Sequence, residues 1–172
     1  RLDNYLKNAY LPAMHRVGVK KIGVFKPIAD DAAAGTKVFV FIPLKKLDDI
    51  EKLEEKLAKD KQYLTTGADY INDSWEKPSY ERIESILIKA FAEMPEFGVP
   101  NHTNPASERI YELRSYEGPT EKLYQKKVEM FNKGGEVALF KKLDFQAVFY
   151  GEVLSGSAMP NLMYMTTFKD MK

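Results

Sequence analysis

The residues with the greatest chemical reach in this chain are two histidines, one tryptophan, ten tyrosines and ten phenylalanines; there is no cysteine. Thiolate chemistry and disulfides are therefore excluded, although the compartment is not decided by that. A catalytic or metal-binding histidine needs convergent partners, such as carboxylates or a second histidine. His15 falls near the end of a helical pattern and has none at local spacing, so it reads as a solvent-facing residue at a helix C-terminus, where a cation is favoured. His102 lies in Val99-Pro100-Asn101-His102-Thr103-Asn104-Pro105 and reads as a linker residue, with a place on a pocket rim as the alternative. These two are the catalytic candidates, both weak, and no metal site is expected. Trp75, in Asn72-Asp73-Ser74-Trp75-Glu76-Lys77-Pro78, either packs a loop over one end of the fold or lines a ligand mouth with its large apolar face and polar N–H. Phe39, Phe41, Tyr111, Phe145 and Tyr164, with Phe149, fall at strand spacing and could line the space between two sheets, although core packing also explains them.

Several chemistries have no foothold. Gly134-Gly135 lacks the Lys-Ser/Thr ending and the strand-to-helix setting of a phosphate loop. No Gly-x-Ser-x-Gly, His-Glu-x-x-His or dinucleotide fingerprint occurs. Lys plus Arg is 26 and Asp plus Glu is 25, giving a net charge of +1 and no electrostatic case for nucleic acid or an anionic membrane. The 44% apolar and 30% charged composition is that of a chain with a real core. No uncharged apolar run approaches the roughly 18 residues of a membrane-spanning helix, and no signal peptide is visible.

The elements that would position these residues come in repeated order. Met14 to Ile22 aligns with Phe140 to Val148 at an offset of 126 (140 minus 14), matching apolar positions 14/140, 17/143, 19/145 and 22/148. Leu2 then falls on Val128 and Tyr5 on Phe131. Lys37 to Lys45 aligns with Asn161 to Lys169 at an offset of 124 (161 minus 37), the change of two being a loop-length difference. In the later copy, Arg109 to Glu117 alternates as a strand before the turn Gly118-Pro119. Thr120 to Lys133 and Glu136 to Leu143 read as helix, and Phe145 to Leu154 and Leu162 to Phe168 as strands. In the earlier copy, Leu2 to Arg16 is a helix with a kink or restart expected at Pro12, and Val19 to Ile28 and Lys37 to Leu44 are strands. Leu47 to Tyr63 is an amphipathic helix whose wet face carries the pairs Asp48/Lys52 and Glu55/Lys59. Ser79 to Phe91 is a long strand.

Together the copies spell β-α-β-β-α-β, the ferredoxin-like unit. The expected fold class is α+β: tandem ferredoxin-like units with antiparallel sheets forming an intrachain α/β barrel. The first unit spans 1–95 without its opening strand, a Pro-, Asn- and Gly-rich linker spans 96–107, and the second unit spans 108–172 without its last helix and strand. Both ends of the tandem are thus expected to be missing, as in a piece of a longer protein.

The segment Arg109-Ile110-Tyr111-Glu112-Leu113-Arg114-Ser115-Tyr116 resembles the opening strand of the NIPSNAP domain. The helix after it, Phe145 to Leu154, and Asn161 to Asp170 resemble the rest of that domain's first three-quarters. The likeness covers Glu108 to Lys172, and reaches residues 1–91 only through the repeat. The family is similar to the dimeric α/β-barrel superfamily, which implies two facing ferredoxin-like sheets and, in a tandem chain, an intrachain pseudo-dimer that could assemble further into homo-oligomers. It brings no catalytic set and no cofactor to carry over, and a fold does not supply a function. Three readings follow. The first is a small-molecule-binding barrel taking an apolar or aromatic ligand. The second is a barrel enzyme of the cofactor-independent monooxygenase or haem-handling type. The third is a structural or protein-interaction module.

Overall fold

The first helix shows how one residue reshapes an element. The computed structural model, which describes residues 1–171, places helix α1 at Leu2–Tyr5, a π-helical turn at Leu6–Tyr10 and α2 at Leu11–Arg16. Pro12 has no N–H to donate to the carbonyl one turn back, and the interruption expected there takes the form of a widened turn before the helix resumes at Leu11. There the Leu11 N–H reaches past its usual partner to the Leu6 carbonyl. Ala9, Ala13 and Met14 form the buried side of this segment.

The chain divides into two compact units, Arg1–Ile83 and Glu84–Lys172; Lys172, the last residue of the expected second unit, lies outside the described residues. In the first unit, β1 (Gly23–Phe25) and β2 (Phe39–Phe41) pair antiparallel, with Val24 opposite Val40. Both strands are much shorter than their apolar patterns predict; among the described residues this ribbon has no third strand, and a two-stranded ribbon is marginal by itself. Helix α3 (Asp49–Lys59) is followed by α4 (Lys61–Thr66) and α5 (Ala68–Ile71), the last unforeseen in the sequence. The expected helix over Leu47 to Tyr63 breaks at Asp60, whose backbone is extended (φ −81°, ψ 97°) and whose carboxylate accepts the Tyr63 N–H at 2.9 Å as an N-cap. Arg16 donates to the same carboxylate from Nε at 2.9 Å and from its terminal nitrogen at 2.7 Å, tying α2 to the start of α4.

The Tyr63 N–H bond, followed by Arg16, holds the Asp60 carboxyl below its ordinary range. A depressed folded-state pKa makes a carboxylate stabilising at pH values above its unfolded pKa, and that contribution is lost as pH falls through the folded value. Asp60→Asn keeps an acceptor but removes the charge. Wild type is therefore expected to be more stable than the variant at pH 7 in urea unfolding, with the gap closing as pH falls below the ordinary 3.8. A gap unchanged at pH 3 counts against the charged cap.

The second unit holds a four-stranded antiparallel sheet in the order β3 (Leu87–Ala90), β5 (Gln146–Ser155), β6 (Asn161–Phe168), β4 (Ile110–Glu117). Helices α6 (Glu121–Asn132) and α7 (Glu136–Lys142) connect β4 to β5. Thr120 caps α6 by accepting the Leu123 N–H, and Gly135, at φ 80°, supplies the left-handed turn that separates α6 from α7. Strand β6 is buried along almost its whole length, matching its near-continuous apolar run Leu162-Met163-Tyr164-Met165. The core on the helix side contains Phe91, Phe131, Tyr150, Leu162 and Tyr164, with Val128, Val137 and Phe140 packed against it.

The long strand expected over Ser79 to Phe91 is confined to Leu87–Ala90, which pairs with β5. Ser79 is engaged with Asp73 and Glu84 with Ser157, so the residues before Leu87 serve side-chain contacts and extend no ladder. Gly151 admits β3 at this distance: a Cβ there would stand 2.6 Å from the Lys89 carbonyl oxygen. Among the described residues the fold is thus mixed α+β with one two-stranded and one four-stranded antiparallel sheet, and neither sheet closes into the expected barrel. Among the described residues no helix is long and apolar enough to cross a membrane.

Candidate functional site

Tyrosines gather in the first unit. Tyr5, on α1, stacks on Tyr70 of α5 with ring centroids 3.9 Å apart and planes tilted by 15°. Its hydroxyl lies 2.6 Å from that of Tyr63 on α4. Tyr10 stands 5.9 Å from Tyr5, and Tyr80 stands 5.9 Å from Tyr70. Burial, then the Tyr63 hydrogen bond, pushes Tyr5 far above the ordinary phenol range, and burial raises Tyr10 to about 12. These phenols are neutral at physiological pH and act as donors and as ring surfaces, not as bases.

The open end of this cluster is a surface groove of about 760 Å³. Its aromatic walls are Tyr70, Trp75 and Tyr80, joined by Ile71 and Pro78; Asp73, Glu81 and Arg82 supply charge. Asp73 is pinned by Arg1 through an ion pair and by the Ser79 hydroxyl, and both contacts hold its carboxyl below the usual range, Ser79 more than Arg1. The Ser74 hydroxyl accepts the Glu76 N–H at 3.2 Å and shapes the turn that lifts Trp75 outward. Trp75 is 87% exposed, so nearly the whole indole is open to solvent. The exposed ring presents a large apolar face together with a polar N–H.

A second polar cluster sits under the helices of the second unit. Lys127 Nζ lies 5.0 Å from the centre of the Tyr116 ring and 5.4 Å from that of Phe131, with a Glu136 carboxylate oxygen 3.8 Å away. Tyr116 stacks on Tyr164 at 5.8 Å. Its hydrogen bond with Tyr164, then Arg114 beside it, lowers the Tyr116 pKa, while burial raises that of Tyr164. Burial, reinforced by the Glu136 charge, pushes Tyr150 up to about 12. Arg114 in turn is paired with Glu112 at 2.8 Å. Each charge here is matched by its neighbour, so the cluster reads as a polar seam closing the edge of the core.

The residues singled out in the sequence take these places. Trp75 is among the lining residues of the groove. Phe39 and Phe41 lie on β2, Phe39 being 41% exposed. In the second unit Tyr164 is 2% exposed among Phe131, Phe140 and Tyr150, and Phe145 stacks on Phe140 at 5.3 Å. Tyr111 alternates with Tyr116 along β4 and falls on the sheet face opposite to it, opposite Thr167 of β6. The side chain of His15 is exposed, and its backbone carbonyl accepts the Lys20 ammonium at 3.1 Å. It is not a lining residue of the groove. His102 belongs to the second unit. Arg109 donates to its carbonyl at 3.0 Å and to that of Asn104 at 2.7 Å, while the His102 Nε2 is buried. The loop with the composition of a plain linker is therefore stitched down, with Gly98 and Asn101 also bonded to Val148 and the Gln146 side chain.

Sequence reasoning passed over Tyr5, Tyr63, Tyr70 and Tyr80, because no periodicity links residues on α1, α4, α5 and a loop. Among the described residues no group of three or more His, Cys, Asp or Glu is placed to hold a metal ion. Compared with family models, with curated proteins and with solved structures, the chain matches none.

Proposed function

We propose that this chain is a NIPSNAP-like small-molecule-binding protein of tandem ferredoxin-like design, and that it binds its ligand through the aromatic groove of the first unit. The exposed Trp75 beside Tyr70 and Tyr80 carries the binding reading. The strand order of the second unit supports the ferredoxin-like reading: β6 lies between β5 and β4, which run parallel to each other and are joined through α6 and α7. The sequence repeat extends that design to the first unit. The groove offers faces and edges for binding, and its one fixed carboxylate, Asp73, is already satisfied by Arg1 and Ser79.

Native mass spectrometry of the gently purified protein tests this. The expected result is an extra mass, released on denaturation, that binds at least about tenfold more weakly (about 1.4 kcal/mol) to Trp75→Ala. Trp75 is so exposed that its truncation should change stability by less than about 0.5 kcal/mol. A bare mass, combined with no change in Trp75 fluorescence across a panel of apolar and aromatic compounds, would remove the reading and favour an interaction module.

A further inference from the structure

Once the internal contacts of the groove are counted, few groups are left to meet a ligand. Tyr70 gives one face to Tyr5 and stands against Tyr80. Asp73 is occupied by Arg1 and Ser79, and the Ser74 hydroxyl by the Glu76 N–H. Arg82 is folded back, donating to the Glu81 carbonyl at 2.7 Å. The groups that remain are the Trp75 indole, the Tyr80 ring, which is 45% exposed, and the Glu81 carboxylate, which has no side-chain partner among the described residues. Of the lining charges Asp73 is paired with Arg1, which leaves the Glu81 carboxylate and the Arg82 guanidinium.

Aromatic faces carry negative potential at their centres, and a carboxylate beside them adds to it. An anion would meet repulsion from both. A neutral apolar ligand would use the rings but leave the carboxylate idle. A soft, weakly hydrated cation uses rings and carboxylate together, without the dehydration that a bare ammonium demands. We infer that the groove of Tyr70, Trp75, Tyr80 and Glu81 binds a small free organic cation bearing a quaternary or methylated ammonium group. Trp75 and Tyr80 supply the cation–π surface, and Glu81 supplies the counter-charge.

The inference rests on the binding reading above, and one experiment separates the two. Trp75 is the sole tryptophan, so its fluorescence reports the groove alone. It is titrated with choline chloride at constant ionic strength, and in parallel with the neutral isostere in which carbon replaces the quaternary nitrogen. Choline is expected to produce a saturable change and the isostere to bind about tenfold more weakly. By calorimetry, Glu81→Gln should weaken choline binding about threefold and Trp75→Leu abolish it, while Trp75→Phe, which keeps a ring, retains it. Equal affinity for choline and isostere would overturn the cation assignment and leave the binding groove standing. Failure of choline, isostere and the apolar panel alike would overturn both.

Discussion

Phe131→Ala is expected to cost the second unit about 3–5 kcal/mol, the range for a large aromatic ring removed from a packed core. Phe131 is fully buried on α6. Its ring lies 5.4 Å from Tyr164, 5.7 Å from Phe91 and 6.0 Å from Tyr150, and Phe140 meets it edge-on at 6.3 Å and 88°. These neighbours come from β6, the end of β3, β5 and α7, so the ring joins two helices to three strands. The surrounding rings are held by their own strands and helices and cannot collapse into the space, which puts the cost toward the upper end of the range. Against a total stability of about 5–15 kcal/mol, such a loss would leave the unit marginal. Urea unfolding followed by circular dichroism measures it, with Trp75→Ala as the surface control. A loss under about 1 kcal/mol would mean that the core repacks freely and that the aromatic cluster does not hold helices and sheet together.

Raising the pH from 9 to 12 is expected to unfold the protein through its buried phenols. Tyr10 and Tyr150 are each pushed up from 10.0 to about 12, chiefly by burial, and Tyr5 and Tyr164 are raised as well. The sign follows from linkage. The folded state holds these protons more tightly than the unfolded chain does, so their stabilisation is complete below pH 10 and is lost as pH rises toward the folded values. Each tenfold gain in proton affinity on folding is worth about 1.4 kcal/mol, and less where water screens the group, as it does around the half-buried Tyr10. Tyr116 behaves in the opposite way. Its hydrogen bond with Tyr164, then Arg114, and the nearby Lys127 favour its anion, so it titrates first and with the fold intact. Tyrosinate absorbance recorded alongside circular dichroism should show a small early phase, missing in Tyr116→Phe, and then a larger phase coincident with unfolding. Tyr150→Phe should move that second phase to higher pH. A single phase near pH 10 without loss of ellipticity would contradict the burial of these hydroxyls.

The two units differ in how far the sequence reaches into them. Around the second sheet, elements were legible nearly to the residue: Ile110–Glu117, Glu121–Asn132, Gln146–Ser155 and Asn161–Phe168 all lie within two residues of the spans that periodicity predicts. Their alternation is strong, their caps are local, and each strand has a partner at full length, so local preference and tertiary pairing agree. In the first unit the apolar runs Val19 to Ile28 and Lys37 to Leu44 have the composition of long strands, yet only three residues of each pair. A strand is as long as its partner allows, and no local pattern encodes the absence of a third strand.

The groove shows the same division more sharply. That Trp75 sits in a turn-rich loop was readable, because Asn, Asp, Ser and Pro around it carry local turn chemistry. That Tyr5 stacks on Tyr70, that Asp73 is held between Arg1 and Ser79, and that Glu81 has no side-chain partner among the described residues depend on residues far apart in the chain. By itself, the sequence determined the composition of the core, the helices with their own caps, the turns and the interruption of the first helix at Pro12, all of which depend on neighbours within a turn or a strand's pleat. The tertiary structure alone decided strand length, the transfer of Leu87–Ala90 to the second sheet, and which aromatics line a groove instead of filling a core. Those outcomes depend on which distant groups meet, and a polar or aromatic side chain is structural or free to bind according to whether its partners inside the fold have already satisfied it.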